Sequence, residues 1–440
     1  MWVPIVICCI TCVVMILGIL FFPKLKIGKV SLDTYWIITL VGAVLTLVFG
    51  ALFSGTDLAK VGGALIADTA INPLKILVLF LSMTILSIYL DELGFFRFLA
   101  SVALKRARTG QKKLFLYLYL TVSVLTVFTS NDIIILSFTP FICYFAKSAK
   151  INPIPYLAAE FVAANTWSMM LIIGNPTNIY LATASGIGFL EYIKYSIFPT
   201  VFGGAVAFGA LFLLFRKKLK EPMLAEAEDV VIEDKLSLWV GIVHLGVCTV
   251  LLAISSYVGI EMWLVALCSA GSLFIFVLII SLVRKRKPVA LLGCLKRAPY
   301  PLIPFVLSMF VMIVVLADAG VTEIIGGAMG ADLPILKYGV SSFFASNLIN
   351  NIPMSVLFSS IIEAAGESAG ISAIFATVIG SNVGAFFTPI GALAGIMWGN
   401  IIGKQDIKFG YLDFLKIGVT VAIPTLFASL GGLWLAVTIF

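Results

Sequence analysis

The chain has 440 residues, of which 61% are hydrophobic and only 12% charged, with a mean hydropathy of +1.13. Soluble domains are about 25% charged, so there are too few polar groups to cover a water-facing surface, and a soluble enzyme is excluded. The net charge of +7 (29 basic minus 22 acidic) falls in short clusters between long apolar runs, which speaks against nucleic acid as a partner and for the basic loops of a membrane protein.

Eight apolar runs, at 2–22, 34–53, 76–93, 195–215, 236–254, 263–283, 300–317 and 414–438, are long enough to cross a hydrocarbon core of about 30 Å. The first has no basic region before it and no small-residue cleavage site, so it is expected to be a retained span rather than a signal peptide. Four further segments are interrupted. Segment 114–146 is broken by Thr129-Ser130-Asn131-Asp132, and 155–190 by Gly174-Asn175-Pro176-Thr177-Asn178. Segment 338–364 is broken by Ser346-Asn347 and Asn350-Asn351, and 371–403 by Ser381-Asn382 and Thr388-Pro389-Ile390-Gly391. The seven cysteines form no CxxC pair and six lie inside apolar runs, so disulfides and structural zinc are not expected. Cys8, Cys9 and Cys12 read as small packing residues, with a soft-metal contact as the alternative.

Basic residues set the orientation. Lys24, Lys26 and Lys29, Lys105 to Lys113, Lys147 and Lys150, Arg216 to Lys220, Arg284 to Lys287, Lys296, Arg297, Lys404 and Lys408 are assigned to the cytoplasmic side; Lys60, Lys75, Lys194 and Lys337 are left outside. Segment 114–146 must then enter and leave from the cytoplasm, and 338–364 from outside, as two re-entrant hairpins. The expected fold is an all-α polytopic membrane protein of about 10 spans with both termini outside. An internal repeat at an offset of 226 supports it: Leu81, Ser82, Met83, Leu90 and Gly94 lie over identical residues Leu307, Ser308, Met309, Leu316 and Gly320, and Glu92 over Asp318. The halves are 1–215 and 236–440, an inverted repeat of five plus five spans, joined by a polar linker at 216–235 that carries Glu226, Glu228, Asp229, Glu233 and Asp234. This is a secondary-transporter architecture, with its site at the repeat interface.

Non-helical backbone at membrane depth persists only inside protein or beside a cavity, so the four breaks place the site. Half-helix N-termini there offer amide donors to an anion, and C-terminal ends offer carbonyls to a cation. The breaks supply Ser130, Asn131, Asn175, Thr177, Asn178, Ser346, Asn347, Asn350, Asn351, Asn382 and Thr388, with Asn165 in segment 155–190 ahead of its break at Gly174. Such oxygens suit a sodium ion, an oxyanion or a neutral polyhydroxyl solute. Asp132 is the one carboxylate at a break, expected to bind a coupling cation or proton, or else to cap the half-helix that follows. Glu160 reads as a second titrating group or a solvated cap near the cytoplasmic face. Glu92 and Asp318 read as interfacial structural residues, His244 as a packing histidine, and Gly174, Gly380, Gly384 and Gly391 as sites of close backbone approach.

Leu90-Asp-Glu-Leu-Gly-Phe-Phe96, Ser130-Asn-Asp132 before Thr139-Pro140, Ala298-Pro-Tyr300, Ala319-Gly-Val-Thr-Glu323, Asn350-Asn-Ile-Pro353 and Thr388 to Ala394 carry a resemblance over nearly the whole length. The chain resembles the ion transporter superfamily of divalent anion/sodium symporters, NhaD-type sodium/proton antiporters and ArsB-type arsenite permeases, and is closest to the last. The resemblance implies ion-coupled alternating access, with metalloid (arsenite or antimonite) or anion efflux foremost. A sodium-coupled carboxylate or inorganic anion transporter and a sodium/proton antiporter are the alternatives, with a channel behind them. It passes substrate and ion roles to Ser130, Asn131 and Asp132, Asn175 to Asn178, Ser346, Asn347, Thr388 and Pro389. Sodium is placed at Ser130, Asn131, Ser346 and Asn347 if it rather than a proton is the coupling ion. No cofactor is implied; the implied partners are a small solute, the lipid bilayer, a second copy in a homodimer and, if the chain works like the ArsB-type proteins, an energising ATPase, in the plasma (inner) membrane. Asn165 and Asn382 stand where arsenite permeases tend to carry aspartates, and amides cannot titrate.

Overall fold

The computed structural model describes residues 2–27, 30–68, 72–106, 110–223, 230–366, 370–405, 407 and 409–440. Lys29, Arg108, Lys408, Glu226, Glu228 and Asp229, used above for orientation and for the linker, lie outside the described residues.

Among the described residues, twenty α-helices fall into two series. The first is α1 (Trp2–Phe21), α2 (Thr34–Ser54), α3 (Leu58–Ile66), α4 (Pro73–Glu92), α5 (Phe95–Arg106), α6 (Gln111–Phe128), α7 (Asn131–Ser148), α8 (Ile154–Trp167), α9 (Pro176–Ala184) and α10 (Phe189–Phe215). The second is α11 (Lys235–Val258), α12 (Met262–Val283), α13 (Val289–Arg297), α14 (Leu302–Asp318), α15 (Val321–Met329), α16 (Pro334–Ile349), α17 (Asn351–Ala365), α18 (Gly370–Gly384), α19 (Leu393–Lys404) and α20 (Tyr411–Ile439). One correction to the all-α expectation is a two-stranded antiparallel hairpin, β1 (Lys24–Ile27) and β2 (Val30–Asp33), between α1 and α2. Its Lys-Leu-Lys-Ile and Val-Ser-Leu-Asp segments alternate with period two, the spacing of a strand, in a stretch too polar to extend either span.

Among the described residues, eight helical segments are long and apolar enough to cross a bilayer, and they coincide with the eight uninterrupted runs; the seventh, Val289–Asp318, takes in both α13 and α14. Each of the four interrupted segments divides into two helices at its polar break: α6/α7, α8/α9, α16/α17 and α18/α19.

Helices ten apart in the order play the same part. α1 packs on α2 as α11 does on α12, α2 on α14 as α12 on α4, α6 on α8 as α16 on α18, and α7 on α19 as α17 on α9. The longest contact joins α10 to its own counterpart α20. α4 is enclosed on all sides, whereas α1, α2, α11 and α12 turn most of their Val, Leu, Ile and Phe side chains outward, as helices in contact with lipid do.

Candidate functional site

The two broken helices fold back on themselves alike. After α8 the chain turns so tightly that a Cβ on Gly174 would sit 2.3 Å from the Ser168 carbonyl oxygen, and after α18 a Cβ on Gly391 would sit 2.3 Å from that of Gly384. Only glycine admits such approach. The carbonyls left open where a helix stops need donors. In the first break Asn178 Nδ2 donates to the Ser168 (2.8 Å) and Leu171 (3.3 Å) carbonyls, while Asn175 Oδ1 accepts from Thr177 N and caps α9. In the second, Asn347 reaches over from the hairpin: Nδ2 donates to the Gly384 (3.1 Å) and Phe343 (2.9 Å) carbonyls, and Oδ1 accepts from the Thr388 amide and hydroxyl. Asn350 Nδ2 donates to the Ile390 carbonyl, and the Asn351 amide to that of Gly391.

The two Ser-Asn pairs are not in equivalent places. Ser130 and Asn131 open α7, but Ser346 and Asn347 lie in the last turn of α16, and the second hairpin turns four residues later at Asn350, whose φ of 73° is one of few positive values outside glycine. Asn350 and Asn351 are the structural counterparts of Ser130 and Asn131.

A buried amide network joins the two series of helices. Asn131 Nδ2 donates to Asn165 Oδ1 at 3.0 Å. Ser168 lies beside both Asn165 and Asn382, its Oγ 2.8 Å from the Asn165 carbonyl and 2.9 Å from Asn382 Oδ1. Asn382 Oδ1 also accepts from Asn175 Nδ2 at 3.0 Å, and Asn382 Nδ2 donates to Asn178 Oδ1 at 2.7 Å. Asn131, Asn165, Asn175, Asn178 and Asn382 are thus connected through Ser168, and Ser346, Asn347, Asn350 and Thr388 form a second cluster beside it, around the Gly384 carbonyl at the same C-terminal end of α18. The oxygens Ser130 Oγ, Asn131 Oδ1, Thr166 Oγ1, Thr177 Oγ1 and Ser381 Oγ are buried with no partner.

Asp132 turns away from the amides into a cavity of about 160 Å³. The first turn of α7 (Ser130, Asp132) and the face of α19 that starts at Leu393 and runs through Met397 to Asn400 form one wall; α4 (Phe80, Thr84, Ile88) faces it, together with Ile19 of α1, Leu302 of α14, Tyr35, Lys24, Asp33 and Arg297. Neither the α7 nor the α19 N-terminus is capped by a side chain, while α9 and α17 are capped by Asn175 and Asn350. Ser130 and Thr84, whose buried hydroxyls have no partner, are both among the residues that line this cavity, and two uncapped N-termini add backbone donors and positive dipole. Thr84, Tyr35 and Asn400 carry no expectation from the sequence, and Arg297 carries only an orientation; a lone threonine inside the apolar run 76–93 is the one available sign. Arg297 is held by Asp91 (2.6 Å) and Glu92 (2.7 Å) at the end of α4, and the equivalent end of α14 is held by Lys60 of α3 through Asp318. Among the described residues no group of three or more His, Cys, Asp or Glu side chains could hold a metal ion.

The sequence matches the profile of a family described as "Citrate transporter" over residues 34–380. It is 28% identical over 414 residues to the arsenical pump membrane protein of Escherichia coli K12, covering 90% of this chain and 92% of that one. It is 26% identical over 375 residues to the protein of that name from Yersinia enterocolitica, covering 82% and 86%. In three dimensions it is similar to the YdaH transporter of Alcanivorax borkumensis, with a TM-score of 0.59 and 99% of both chains covered at 13% identity, which bears on fold alone.

Proposed function

This chain belongs to the citrate transporter family of integral membrane proteins, and from that premise we propose that it is an ion-coupled secondary carrier working by alternating access on a small solute. Each half contributes five crossings, α1, α2, α4, α8–α9 and α10, then α11, α12, α14, α18–α19 and α20, with α6–α7 and α16–α17 as re-entrant hairpins and both termini outside. The exchange of helix contacts between the two series supports this inverted repeat.

The observation that carries the reading is an asymmetry between equivalents. The N-termini of α7 and α19 are uncapped and open on a cavity, whereas the equivalent pair α17 and α9 is closed by asparagine caps. A repeat protein that holds its two halves in different states at one interface is poised to exchange them, which opens the site to each side in turn. The cavity lies between α7 and α19 on one side and α1, α4 and α14 on the other, so it is read as the solute path, with α7 and α19 in the moving unit. Arsenite or antimonite efflux is the foremost substrate reading, supported by the names of the relatives and by a lining of hydroxyls and an amide. Uncapped N-termini with Lys24 and Arg297 favour a carboxylate or inorganic anion as the second. Asp132 is the coupling carboxyl, neutralised by a proton or by sodium with Ser130 and Asn131 oxygens. A homodimer in the plasma membrane, and an ATPase partner for arsenical transport, complete the proposal.

Purified protein in liposomes, given separate proton and sodium gradients and offered arsenite, antimonite, citrate or a smaller carboxylate, should accumulate or expel one of them with one gradient only. Currents far above carrier turnover would instead make it a channel.

A further inference from the structure

One ionisable group deep in the molecule has no part in that cavity. Glu160 of α8 is fully buried, seven residues before the helix breaks off, roughly 10 Å along the axis. It is closed in by α7 on one side and by the packed rings of Phe161, Trp398 of α19 and Phe414 of α20 on the other, with ring centroids 5.1–5.7 Å apart. Its two carboxyl oxygens lie 2.8 and 3.1 Å from the Thr139 hydroxyl, and the nearby Trp398 indole N–H is otherwise without a partner. No lysine, arginine or histidine pairs with it among the described residues. From α7 the facing titratable group is Cys143, a thiol; Tyr156, one turn earlier on α8, is bonded to Gln111; α19 and α20 bring aromatic rings.

An ionised carboxylate offers about four acceptor sites, and here the donors around it are Thr139 and the Trp398 indole N–H, with no cation. A charge so placed is retained only when a proton or cation neutralises it, and an isolated structural pair would have been satisfied by Gln. We infer that Glu160, sealed between α7, α8 and α19 and held by Thr139, is a proton-binding site of the carrier separate from Asp132. The step is a simple one: a proton leaves water, binds a carboxylate oxygen and is later returned. In the acid form Thr139 turns its own O–H to its helix and accepts the carboxyl O–H. Loading the proton makes the α7–α8–α19 unit neutral at this point as it crosses; losing it leaves a buried charge that favours the conformation in which Glu160 meets water.

This inference rests on the carrier reading, so its test has a readout that needs no substrate. Infrared difference spectra of the purified full-length protein across a pH titration should show a buried carboxylic-acid C=O band. The band should be lost in Glu160→Gln, shifted in Thr139→Val, close to native in Thr139→Ser and kept in Asp132→Asn. In liposomes, Glu160→Gln should lose at least tenfold of its proton-gradient-driven flux and keep gradient-free exchange. A band unchanged in Glu160→Gln, or a variant with the native response to a pH gradient, would overturn the proposal. A Glu160 band in a protein that moves no solute would support the proton site and remove the carrier reading alone.

Discussion

Asn382 Nδ2 donates to Asn178 Oδ1 across 2.7 Å, joining residues 204 apart in the chain and fastening the last turn of α18 to the first turn of α9. The two broken helices therefore meet through side-chain amides, and the same Asn382 oxygen accepts from Asn175 and lies within hydrogen-bond distance of Ser168.

Asn382→Ala should accordingly be costly. It strips partners from buried Asn175, Asn178 and Ser168, and each orphaned polar group costs about 1–3 kcal/mol. Thermal unfolding in detergent should fall by several degrees and transport at least tenfold; an unchanged melting temperature would mean that the network is dispensable.

The two hairpins should respond differently to the same change. Asn347 has its donors and its acceptor bonded within the second break, so Asn347→Ala should lower stability by roughly 1–3 kcal/mol. Asn131 has an unpartnered Oδ1, so Asn131→Ala should cost less stability and change ion or solute affinity more. Melting curves and flux measured on both variants decide it.

Gly391→Ala places a methyl group 2.3 Å from the Gly384 carbonyl and 2.8 Å from Asn347 Oδ1, both fixed, so the break must open. Loss of folded protein on size-exclusion chromatography is expected. Gly62→Ala in α3, with nothing within 4 Å, should be tolerated or stabilising by about 0.5–1 kcal/mol.

Asp132→Asn should abolish the response to the coupling-ion gradient and leave substrate exchange. If a proton is that ion, the variant mimics the neutral form; if sodium, residual sodium binding through Ser130 and Asn131 should persist at lower affinity. A variant with native rate and native ion dependence would remove Asp132 from coupling.

Cysteines introduced at Lys112 and Lys147 should be labelled from the cytoplasm, and one at Lys337 from outside. Labelling of Lys112 and Lys147 from opposite faces would make α6–α7 a pair of crossings and break the inverted repeat.

The sequence by itself determined the membrane environment, the eight unbroken spans and the four breaks, because apolar length and backbone-breaking Ser, Asn, Gly and Pro act locally and bilayer thickness fixes the scale. The asparagines of the site were legible for the same reason: an amide has little cause to stand at membrane depth except to satisfy an open backbone. Where each side chain turned was decided only by packing. Asn131 and Asp132 are adjacent, yet one bonds to Asn165 and the other lines a separate cavity with Thr84 and Arg297, because successive residues at a helix start point about 100° apart. Glu160, near enough to a helix end to read as solvated, is closed off by α7 and by rings from α19 and α20. The four-residue shift between the Ser346-Asn347 pair and the turn at Asn350 likewise follows from how α16 packs on α18, a contact between residues tens of positions apart.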